Sequence, residues 1–166
     1  MNTKSYQPEL LSRKGEQVAW ILALVSLVSL LFLKAHFAEI PWGSYAFVIL
    51  LLLAASSISL GNWMDRHTAI TVNPESIAFT NGVRNTEINW DDVKEIRVME
   101  TNWGKRVQVL GKDSHFEFRT LGEVLLHGEL KGRLGFKEGD EILQTLVSKT
   151  GLKETSKKEK SYYYTR

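Results

Sequence analysis

The chain has 166 residues, enough for one domain of ordinary size, with 21 lysines and arginines against 19 acidic residues. A formal net charge of +2 sets up no field strong enough to argue for nucleic acid. Cysteine is absent, which excludes disulfides, zinc–thiolate sites and thiol nucleophiles.

Residues Met1–Glu16 are polar, with Pro8 and mixed charges, and read as a mobile or surface-lying arm. The stretch Gln17–Met64 changes character. Its first run, Gln17–Leu33, is uncharged and closed by Lys34, and its second, Ile40–Met64, contains YAFVILLLLAASSISL. About 20 apolar residues at a 1.5 Å rise cross the hydrocarbon of a bilayer, and about 17 is the minimum. Both runs meet the limit, and the connector Lys34–Pro41 is too short to hold a domain. A transmembrane helical hairpin over residues 17–64 is therefore expected. Two buried helices of a soluble protein would need further helices to cover them, and the sequence offers none that could bury both runs.

A cleaved signal peptide would also place Arg13 and Lys14 before an apolar run. The following Ala35-His36-Phe37-Ala38 lacks small residues at both positions a peptidase needs, so the reading is an uncleaved anchor. Lys4, Arg13 and Lys14 precede the first run, whereas the connector carries only Lys34. By the positive-inside rule both termini, and everything after Asp65, lie on the cytoplasmic or stromal side. Ala19, Ala23 and Ser26 share one face of the first helix, and Ser57 and Gly61 form a small-xxx-small pair in the second. Such faces allow close helix approach in lipid. They suit packing of the hairpin against itself or, less often, docking of another membrane protein. Trp42, Tyr45 and Trp63 suit an aromatic belt at the interfaces.

From Ala69 the pattern becomes short strands between turns. Strands are predicted at Ala69–Val72, Ser76–Thr80, Arg84–Trp90, from Glu95, at Val107–Leu110 and through Phe116–Phe118, with Asn81-Gly82 a hairpin turn. Regular spacing of this kind means an antiparallel barrel or sandwich. Residues 121–136 are ambiguous. Val124, Leu125, Leu126, Leu130 and Leu134 half fit a helix, while Gly122, Gly128, Gly132 and Gly135 argue for a strand pair with a loop. Glu138–Thr150 reads as a helix with the stripe Ile142, Leu143, Leu146 and Val147, capped by Gly151. Residues 153–166 read as a disordered charged tail.

Three features carry a resemblance: Ile70-Thr71-Val72 with Ile77; the run Ile88-Asn89-Trp90-Asp91-Asp92-Val93-Lys94-Glu95-Ile96; and Gly139-Asp140-Glu141-Ile142-Leu143. With them, residues 65–152 resemble the bacterial PH-like (pleckstrin-homology-like) domain family. The resemblance implies an α+β membrane protein, with a hairpin followed by a seven-stranded, bent antiparallel barrel capped by the C-terminal helix. The hairpin-then-PH layout is also similar to that of the photosystem I assembly protein family. That likeness implies a plasma- or thylakoid-membrane protein that assembles or stabilises a multisubunit membrane complex such as a photosystem.

No catalytic, cofactor or metal constellation is apparent. His36, His67, His115 and His127 are scattered, and Asp91-Asp92 reads as a turn. No small-molecule substrate or nucleic-acid partner is expected. Arg84, Arg97, Lys105 and Arg106, with Trp103 beside them, are the candidate contacts for a protein partner or an anionic lipid headgroup. Charge from Asp65 onward is nearly balanced, seventeen basic against sixteen acidic, which favours scattered solvated charges with Trp103 half in the core over a headgroup site. The expectation is a non-enzymatic membrane adaptor; the alternative is an anionic-lipid-binding module.

Overall fold

A computed structural model describes residues 3–10, 12–37, 39–126, 128–158 and 160–166, and no side chain at 126, 131 or 156–158. Two of the residues used above, Ala38 and His127, lie outside the described residues. The chain divides into two compact units, Ser12–Trp63 and the remainder.

The first unit holds α1 (Lys14–His36) and most of α2 (Trp42–Arg66). Both helices are long and apolar enough to cross a membrane. Only Ala23 and Leu30 of α1, and Val48 and Ala55 of α2, are fully covered, so small or well-fitted side chains form the seam and larger ones face outward. Ala19, Ala23 and Ser26 follow the covered face of α1, as their spacing predicts. Ser57 and Gly61 do not follow that of α2. Both are exposed, a Cβ on Gly61 would meet nothing within 4 Å, and the Ser57 hydroxyl donates to the Leu53 carbonyl of its own helix. The covered row of α2 is instead Val48, Ala55 and Ser59, at helical spacing.

The second unit is α+β. In chain order it contains β1 (Lys4–Tyr6), β2 (Pro8–Glu9), β3 (Thr68–Val72), β4 (Ser76–Asn81), β5 (Asn85–Asn89), a 3-10 turn at Trp90–Asp92, β6 (Glu95–Thr101) and β7 (Gly104–Leu110). Then follow β8 (His115–Arg119), β9 (Gly122–Leu126), β10 (Glu129–Phe136), α3 (Gly139–Thr150), β11 (Lys153–Lys158) and β12 (Ser161–Thr165). They form three antiparallel sheets, β1-β3-β4-β5, β2-β10-β9 and β11-β12-β6-β7-β8. The expected closed barrel is absent, because each sheet ends in edge strands and the ladder does not run continuously from one sheet to the next. A parallel bridge, Thr120 to Phe136, links β10 to the residue after β8.

Alternation explains the core. Ile70, Ile77, Ile88, Ile96, Val98, Val107, Val109, Phe116 and Phe118 point inward from successive strands and meet Ile142, Leu143 and Leu146 of α3. Phe79, Phe116, Phe118 and Phe136 form a chain of ring contacts with centroids 5.5, 6.4 and 5.9 Å apart. Trp90 locks the turn before β4: its indole Nε1 donates to the Pro74 carbonyl at 3.0 Å, and its backbone N–H to Glu75 at 3.1 Å. Gly151, in the left-handed region at φ 64°, ends α3 as its sequence predicts.

Two expectations change, at the two termini, and the ambiguity over residues 121–136 resolves to its strand-pair alternative. The N-terminal arm is paired structure: β1 pairs with β3, β2 with β10, and Tyr6 is buried in the core. Pro8 fits there because β2 is an edge strand. Residues 121–136 are a β-hairpin, β9–β10, with Gly128 at φ 81° beside its tip. The C-terminal segment is the hairpin β11–β12, whose β12 pairs with β6 along Ser161–Thr165. Its lysines conceal alternating tyrosines: Tyr162 and Tyr164 pack on the core and contact each other edge to face at 5.8 Å. Burial raises both phenol pKa values.

Candidate functional site

The five candidate contact residues sit on or next to β5–β7, and the pleat divides them. In the β6–β7 register Arg106 lies opposite Met99, while Lys105 lies opposite Glu100. Arg97 and Arg106 therefore share one face of the sheet and Lys105 takes the other. Arg84 stands before β5, where its guanidinium donates to the His115 carbonyl at 2.6 Å.

Three of the four cations are neutralised locally. Arg97 Nε donates to Glu95 at 2.8 Å, Lys105 Nζ to Asp140 at 2.9 Å, and Arg106 Nε to Glu117 at 2.5 Å. Each of these hydrogen bonds raises the pKa of the cation it engages. The residues do not converge, and a phosphate would have to compete with a carboxylate for each of these three. The Lys105–Asp140 pair has a structural role as well, joining β7 to the first turn of α3.

Trp103 occupies the turn between β6 and β7 and is 52 % exposed, with the Arg119 guanidinium 6.0 Å from its ring centroid. The turn is rigidly seated. Gly104 has φ 89°, and a Cβ on Gly122 would fall 2.0 Å from the Trp103 carbonyl oxygen. Beyond Gly122, Leu125 and Leu130 face each other across β9–β10 and are 59 % and 50 % exposed. The facing of Leu125 and Leu130 is not legible in the sequence, because a one-residue shift of register between β9 and β10 would give each another partner. The signal available was the run of glycines, which in a strand pair leaves apolar neighbours without cover.

A cavity of about 270 Å³ opens among Pro8, Glu9, Asp65, Thr68, Asn81, Arg119 and Gly135, with Phe79, Phe118 and Phe136 at its base. Another hollow, about 590 Å³, is lined by Pro74, Glu75, Asn89, Trp90, Asp91, Asp92 and Lys149. Asp91 and Asp92 form the 3-10 turn there, in line with the turn reading. Among the described residues no group of three or more His, Asp or Glu side chains could hold a metal ion. His36 stacks on Phe32 at 4.2 Å, and His115 begins β8.

Fold and surface together define an α+β domain joined in sequence to two helices long and apolar enough to cross a membrane. Comparison with protein-family models, with curated proteins and with solved structures finds no match.

Proposed function

We propose that this chain is a non-enzymatic membrane adaptor: α1 and α2 anchor it as a transmembrane hairpin, and the PH-like domain, on the cytoplasmic or stromal side, holds a protein partner. A subunit of a multisubunit membrane complex, in the manner of an assembly or stability factor, is the partner that this layout suits. The observation that carries the reading is the open edge of the five-stranded sheet. Among the described residues β11 pairs only with β12, so the other side of its backbone can accept an added strand. The bulge between Glu154 and Ser156 leaves Thr155 outside the β12 register.

The test is a mild-detergent pull-down of the full-length protein, read by mass spectrometry and a native gel. Stoichiometric recovery of subunits from one membrane complex supports the adaptor reading. Thr155→Pro, placed at the bulge of an edge strand where proline is tolerated, is expected to keep the fold and lose those subunits. A protein that migrates alone, or a Thr155→Pro variant that retains every subunit, contradicts strand addition at β11. The lipid-headgroup alternative is less well supported, since three of its four cations are already paired with carboxylates.

A further inference from the structure

The domain's exposed apolar side chains are unevenly distributed. Among its described residues the large ones are Leu10, Val83, Trp103, Leu125 and Leu130. Their positions can be referred to the points where the chain enters and leaves the helices. Leu10 follows β2 directly, and α1 begins at Lys14; on the other side α2 ends at Arg66 and β3 begins at Thr68. Glu9 and Thr68, which flank these connections, line one cavity together with Asn81 and Arg119.

The remaining apolar residues connect to that cavity by short steps. Asn81 is the register partner of Thr68, and Val83 lies two residues on, in the turn that follows β4. Arg119 lies over Trp103. Trp103 packs its backbone against Gly122, the start of the strand that carries Leu125, and Leu130 is the cross-strand partner of Leu125. The turns at the other ends of these strands differ in kind. Residues 73–75, 91–94 and 111–114 carry Asn73, Glu75, Asp91, Asp92, Lys94, Lys112 and Asp113, and no exposed large apolar side chain.

We infer that Trp103, Leu125 and Leu130, with Leu10 and Val83, form a contact surface for the lipid bilayer and hold the domain's tethered end on the interfacial layer. The inference rests on α1 and α2 spanning a membrane, as proposed above. Connections of one residue and about four residues then keep Thr68 and Leu10 within about 15 Å of the ends of α2 and α1, at no more than 3.6 Å per residue. An exposed indole beside a guanidinium, with exposed leucines on the strand pair that begins at Gly122, has the composition of an interfacial contact. Lipid contact of this kind uses apolar area and does not require the paired cations of β6 and β7. It also leaves the open edge of β11 available to a partner.

The absence of cysteine allows single-site labelling. Full-length Leu125→Cys, Leu130→Cys and Lys112→Cys variants would carry an environment-sensitive fluorophore in liposomes containing spin-labelled phosphatidylcholine, with Leu53→Cys in α2 as the membrane control. All four positions are exposed, so the fold is expected to tolerate the labels. The expected result is quenching by lipid several-fold greater at 125 and 130 than at 112, with reduced access of aqueous iodide. Quenching at 125 and 130 equal to that at 112, with free iodide access, overturns the inference. Shielding from both quenchers also overturns it, because a protein or a second copy then covers the patch. Absence of deep quenching at position 53 shows instead that the membrane reading itself has failed.

Discussion

The two units of this chain solve opposite solvation problems. In the helical unit Ala23, Leu30, Val48 and Ala55 are covered, while Ile21, Leu24, Val28, Phe32, Leu50 and Leu53 face outward. In the β-rich unit seventeen apolar side chains among the described residues form one buried cluster. The same residue types therefore mark core in one unit and surface in the other. Hydrophobicity alone assigns neither; what separates them is whether the apolar residues outnumber the positions that can be buried. Where they do, as in α1 and α2, the helices are long and apolar enough to cross a membrane.

The contrast can be broken most severely at Phe116, which is fully buried and touches both Phe79 and Phe118. Phe116→Ala is expected to cost about 3–5 kcal/mol, whereas Leu53→Ala on the outer face of α2 stays within about 0.5 kcal/mol. Urea unfolding of both variants in detergent measures the difference. Gly122→Ala comes next. Its Cβ would overlap the Trp103 carbonyl, and the displacement of the β6–β7 turn is expected to cost about 1–3 kcal/mol, read as a lower unfolding midpoint.

A smaller effect is expected in the helical unit, where polarity replaces apolar packing. Glu16 accepts hydrogen bonds from Ser59 Oγ at 2.6 Å and Asn62 Nδ2 at 2.9 Å, and Ser59 also accepts from Trp20 Nε1 at 2.8 Å. Glu16→Ala removes this clasp between α1 and α2. About 1 kcal/mol is expected, typical of the net worth of a polar contact, with unfolding of the β-rich unit unchanged.

The weakest effect is one of pH. Hydrogen bonds from Lys4, at 2.6 Å, and from Tyr6 lower the Glu141 pKa below its ordinary 4.5. A depressed carboxylate contributes stability that is complete above 4.5 and is lost as pH falls through the folded value. The same bond raises the Lys4 pKa above 10.5, so that contribution is complete below 10.5 and lost at higher pH. Glu141→Gln is expected to flatten the acid limb of the stability profile slightly, because both partners are exposed.

The sequence showed most where period and burial agree. Ile88, Trp90, Val93 and Ile96 of the nine-residue run are all buried, and α3 carries its stripe as read. It showed least where one or two aromatics act within charged segments. Tyr6 among lysine, glutamate and proline, and Tyr162 and Tyr164 after four lysines, supply the burial that orders two terminal segments read as mobile and disordered. Low mean hydropathy hides such anchors, since β-pairing needs a partner strand and only every second side chain. The pairing of the candidate cations was legible only in part: Glu95 stands two residues from Arg97, but Asp140 and Glu117 lie 35 and 11 residues from Lys105 and Arg106, beyond any local pattern.

The most direct test of the central claim, a membrane hairpin with a domain on one side, is cysteine accessibility across a sealed membrane. Glu39→Cys in the connector and Lys112→Cys in the domain would each be exposed to a membrane-impermeant maleimide in sealed vesicles, after confirming resistance to alkaline carbonate extraction. The account predicts that the protein stays in the pellet and that the two positions react from opposite sides. Release into the supernatant, or labelling of both positions from the same side, would contradict it.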